Sequence, residues 1–75
     1  MESEKKPQTP YEWVIGETAG IVWQVLQENG PMSLRRLVQA TGRPRDLVMQ
    51  AVGWLAREDK LLFEKQNRFQ TIRLK

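Results

Sequence analysis

The sequence predicts an α+β domain, mainly α-helical, with a three-helix core closed by a C-terminal β-hairpin. Three observations lead there. Apolar residues recur at helical spacing in three successive segments between residues 14 and 59. Glycine or proline punctuates the joints between those segments. The final stretch, LLFEKQNRFQTIRL (residues 61–74), has two apolar-rich runs meeting at a turn.

The first segment, MESEKKPQTP, is polar, charged and interrupted by two prolines, so residues 1–8 read as a flexible arm and residues 9–75 as the domain. Thr9-Pro10-Tyr11-Glu12 has the form of a capping box, with Thr as cap and Glu three residues on. In the helix that follows, Ile15, Ala19, Val22 and Leu26 form one stripe. Val14, Ile21 and Val25 widen it on one side, and Trp23 borders the other. The apolar arc exceeds half the circumference, more than one packing partner in a small domain covers. Gly16 and Gly20 make a smooth track on this helix, over which Trp13 or Trp23 is expected to lie. Gly30 and Pro31 end it.

Pro31-Met32-Ser33 is a candidate for a short extended segment, and Ser33 is a good N-cap for a helix over 34–40, with Leu34, Leu37, Val38 and Thr41 on one face. Gly42 closes that helix. The next opens with Pro44 in its first position and buries Leu47, Val48, Ala51, Val52 and Leu55, running to about Asp59. Trp54 borders this stripe and reads as core cover, and Gly53 reads as a place of close backbone approach. A turn at Asn67-Arg68 sets Leu61 opposite Leu74, Phe63 opposite Ile72 and Lys65 opposite Gln70, with the first two pairs on one face. On this reading Phe63 is a core aromatic whose truncation costs about 3–5 kcal/mol.

A short helix, a tight turn and a longer helix make the helix-turn-helix signature, and the hairpin after it makes the arrangement a winged helix-turn-helix with the hairpin as wing. More narrowly, IGETAG and VWQVL, followed by GWLARE and KL, resemble a family of small stand-alone prokaryotic winged helix-turn-helix proteins of unassigned function. That resemblance implies the fold and, by analogy with winged helices at large, nucleic-acid binding. It implies no catalytic residue and no ligand.

Composition narrows the function further. Seventy-five residues sit near the lower limit for a self-sufficient core, and there is neither cysteine nor histidine. Disulfides and most transition-metal sites are thereby excluded, and no cofactor is expected. The inventory lacks a plausible nucleophile–base pair, so catalysis is not expected. Nothing resembles a signal or membrane-spanning segment, which suits a cytoplasmic protein. Net charge is +3, but residues 1–30 hold two cations against five carboxylates while residues 31–75 hold ten against four. A basic C-terminal part points to an anionic partner.

The expected partner is duplex DNA, in a transcription-related accessory role. Arg43 and Arg45 at the start of the third helix, with Lys65 and Arg68 at the wing tip, would contact phosphates, and Arg35 and Arg36 could surround the same surface. On the outer face of that helix Gln50 suits adenine and Arg57 guanine. Asp46 and Gly53 equip the same face poorly, so base specificity is expected to be low. The alternative is a protein-interaction module, with a homodimer formed through Val14, Ile21 and Val25.

Overall fold

The elements follow in the order the periodicity predicts. The computed structural model describes residues 11–66 and 68–75. Helix α1 spans Tyr11–Asn29, α2 Leu34–Thr41 and α3 Arg45–Arg57, followed by antiparallel strands β1 (Leu61–Gln66) and β2 (Phe69–Leu74). The arm expected over residues 1–8, Thr9 and Pro10 of the capping box, and Asn67 of the turn lie outside the described residues.

Each helix ends for a local chemical reason. At α1 the chain turns at Gly30, whose φ of +78° costs an L side chain but not glycine, and whose N–H donates to the Leu26 carbonyl at 2.8 Å. Ser33 caps α2: its Oγ accepts from the Arg36 N–H at 3.2 Å. Gly42, at φ +69°, closes α2 with an N–H bond to the Val38 carbonyl at 3.2 Å. Helix α3 departs from expectation at both ends. Pro44 is its cap rather than its first residue, because an extended ψ of 145° leaves it half outside while its carbonyl accepts from the Val48 N–H at 3.0 Å. The helix stops at Arg57, short of Asp59. Asp59 takes the left-handed conformation (φ 63°) and donates to the Ala56 carbonyl at 3.0 Å, while Lys60 donates to Leu55 at 3.0 Å. These are the two bonds of a Schellman motif, with aspartate where glycine is usual.

The hairpin has the expected register, with Leu61 opposite Leu74, Phe63 opposite Ile72 and Gln66 opposite Phe69. The extended segment at Met32 is also present. Met32 and Ile72 exchange reciprocal backbone bonds of 2.9 and 2.7 Å, so β2 is flanked by β1 on one side and by a single bridging residue on the other.

The core joins Ala19, Val22 and Leu26 of α1, Leu37 of α2, and Val48, Ala51, Val52 and Leu55 of α3. Met32, Leu61 and Ile72 seal it from the hairpin side. Phe63 does not belong to it: the register is right, but the ring is 44% exposed. Ile72 sits on the strand held between two neighbours, whereas Phe63 sits on the outer strand, two residues beyond buried Leu61. No described helix is long and apolar enough to cross a membrane.

Candidate nucleic-acid interface

The start of α3 is built by the turn that precedes it. The Thr41 hydroxyl donates to the Val38 carbonyl at 3.0 Å and accepts from the Arg43 N–H at 3.3 Å, which fixes the chain's exit from α2. Pro44 has no side-chain donor or acceptor, and no side chain caps α3. The first backbone N–H groups of the helix therefore retain their capacity for an anion. Arg45 is exposed beside them. Arg43 is half-buried, and its Nη1 donates to the Thr18 Oγ1 of α1 at 3.4 Å. Thr18, wholly buried, in turn donates to the Val14 carbonyl at 2.8 Å. Arg43 thus engages part of its guanidinium in tying the turn between α2 and α3 to α1, a role its place in the sequence does not reveal.

Asp46, Met49, Gln50, Gly53 and Arg57 are all exposed on α3. Gln50 has a partner that its sequence neighbours do not reveal: the Tyr11 hydroxyl donates to its Oε1 at 2.7 Å. Bidentate recognition of adenine requires that same oxygen as acceptor, with the amide nitrogen as donor. Tyr11 therefore orients the amide and occupies part of its acceptor capacity. Among the described residues a Cβ at Gly53 would meet no atom within 4 Å, so none of them makes the close approach expected there. Arg57 stands about 18 Å along the helix axis from Arg45. It lines a small hollow with Trp54 and Glu58 instead of joining the cations at the helix start.

On the wing, Lys65 and Arg68 are exposed, and Lys65 pairs across the ladder with Gln70. They lie about 13 Å or more from the strand base at Leu61. Arg73 is engaged on the wing's other face, its Nε 3.1 Å from the Glu64 carboxylate. The structure thus groups Arg43 and Arg45 at one helix end and Lys65 and Arg68 at the wing tip, with Arg57 apart from both.

A second surface lies between α1, the end of α3 and the end of β2. It is a groove of about 620 Å³ lined by Gly16, Ala19 and Gly20 of α1, by the indoles of Trp23 and Trp54, and by the charged side chains of Glu58, Asp59, Lys60 and Lys75. Neither Trp13 nor Trp23 covers the glycine track. Trp54 does: its ring carbons lie 3.5 and 3.6 Å from where a Gly16 Cβ would stand. An α3 residue reaches the track because α1 packs most extensively against α3. Trp54 remains 38% exposed, Trp23 39% and Trp13 60%. Val14, Ile21 and Val25, on the opposite flank of α1, are half-buried, and Val25 packs against the core.

The comparisons agree with this architecture. The chain is 36% identical over 63 residues to Uncharacterized protein MJ1608 of the archaeon Methanocaldococcus jannaschii, covering 81% of this chain and 90% of that protein. It is similar to the solution structure of protein BT2368 from Bacteroides thetaiotaomicron, with a TM-score of 0.79 and 32% identity, covering 87% of this chain and 79% of that one. The family model described as winged helix-turn-helix domain (DUF2582) matches residues 2–74. With three helices, a turn capped at Gly42 and a hairpin wing in that order, the chain belongs to this winged helix-turn-helix family.

Proposed function

We propose that the protein binds duplex DNA, mainly through phosphates and with little base specificity of its own, as a cytoplasmic accessory to transcription. One observation carries the reading: the second helix of the helix-turn-helix begins without a side-chain cap, between Arg43 and Arg45. Dipole, open N–H groups and two guanidinium groups favour an anion there. Exposed Lys65 and Arg68 on the wing extend the cationic surface. Low specificity follows from the outer face of α3, where Gln50 is engaged by Tyr11 and Gly53 offers no side chain. Gln50 and Arg57 are the base contacts available to it.

Fluorescence anisotropy with a random duplex across a salt series tests this. Three to four phosphate contacts give a slope of log K against log salt of roughly −3 to −4, and a Kd of about 10⁻⁴ to 10⁻⁶ M at physiological salt. Arg45→Ala and Arg68→Ala should each weaken all duplexes alike and lower the slope by about one. Absence of binding at low salt rejects the proposal.

A second reading, compatible with the first, is self-association through α1. The exposed indoles of Trp23 and Trp54, which line one groove, favour it, since apolar exposure concentrated in one region marks interaction surfaces. Two flanks of α1 are available for it: Val14, Ile21 and Val25 on one, and the groove between Trp23 and Trp54 on the other.

A further inference from the structure

We propose that two copies of this chain pair through the groove, Trp23 of each entering the space above Gly20 of the other; the inference rests on the self-association reading and assigns its surface. Gly16, Gly20 and Trp23 fall on one flank of α1 at intervals of four and three residues. Trp54 fills the space above Gly16, but among the described residues nothing lies within 4 Å of a Cβ built at Gly20. The track is therefore half covered, with a gap between two indoles floored by a residue without a side chain. An indole is the shape that closes it.

The feature is self-complementary. About a two-fold axis with antiparallel α1 helices, a Trp23-to-Gly20 contact made once is made twice, as a closed dimer requires. The same register brings Gln27, exposed on that flank, against the Trp54 indole that covers Gly16 of the other copy. Electrostatics permits the approach. The groove's lining holds two carboxylates and two ammonium groups, already paired as Glu58 with Lys60 (3.6 Å) and Asp59 with Lys75. None of Arg35, Arg36, Arg43, Arg45, Lys65 and Arg68 lines the groove, so the charge that gives each copy its net +3 stays out of the contact. A small charged ligand fits less well, because the four charged side chains lining the groove are already paired with one another.

Sedimentation across a concentration series, with tryptophan emission read in parallel, tests the proposal. The parent protein should associate as concentration rises, with a blue shift as the indoles leave water. Gly20→Glu should weaken association at least tenfold without lowering the melting temperature, because the site is open in the single chain and glycine is a poor helix former. Trp23→Gln, at a position exposed in the single chain, should do the same. Ile21→Glu, on the other flank, should leave association within a few-fold of the parent. A parent that stays monomeric throughout overturns both this proposal and the self-association reading. Association that survives Gly20→Glu and Trp23→Gln but is lost in Ile21→Glu overturns the groove alone and assigns the dimer to Val14, Ile21 and Val25.

Discussion

Thr18 shows how one hydroxyl can join a helix to the turn between two others. It sits at 0% exposure inside an apolar face, donates to its own helix at Val14 and accepts from Arg43, 25 residues away. Thr18→Val keeps the shape and removes both bonds, leaving a half-buried guanidinium without that acceptor. The expected loss is about 1–2 kcal/mol, measured by urea unfolding; an unchanged midpoint would mean the hydroxyl contributes nothing. Half of this was legible in the sequence. A helical projection puts Thr18 between Val14 and Val22 on the apolar arc, where a polar residue calls for a partner. Its partner was not legible, because periodicity gives the face a residue occupies and says nothing of what a different helix brings to it. The same limit hid Tyr11 from Gln50 and Trp54 from Gly16.

Among the elements, the hairpin separates two kinds of information. Its register follows from alternation and turn length, and every cross-strand pair agrees with the sequence. Burial does not follow, because it depends on how far the helices extend beneath each strand. Ile72 is buried and Phe63 half-exposed although they face each other. Thermal or urea unfolding should therefore rank them against intuition: Ile72→Ala costs about 3 kcal/mol as a buried aliphatic, Phe63→Ala only about 1 kcal/mol. A larger loss at Phe63 would mean that its ring is covered in solution. Helix ends were legible where a residue has one strong preference, as at Ser33 and Gly42. The end of α3 was not, since Asp59 occupies a left-handed position more often given to glycine.

At the scale of the whole molecule, the order of elements was readable from periodicity and punctuation, and the uneven charge from composition. The proposed functional surfaces were readable only as inventories. Arg43 and Arg45 prove to be neighbours with different duties, one bound to α1 and one exposed, while Arg57 belongs to another region of α3. What unites the molecule is the reciprocal pair between Met32 and Ile72, residues forty positions apart. It fastens the wing's inner strand to the connection between α1 and α2, so the wing's base cannot part from the helices without exposing the core. Amide hydrogen exchange should register this as a gradient. The N–H groups of Met32 and Ile72 should exchange as slowly as those of Val48 and Ala51, opening only when the entire domain does. Amides of Lys65 and Gln70, on the part of the ladder farthest from the Met32 bridge, should exchange much faster. The wing then behaves as a lever hinged nowhere near its base: whatever its strands meet, the root holds the angle at which they meet it.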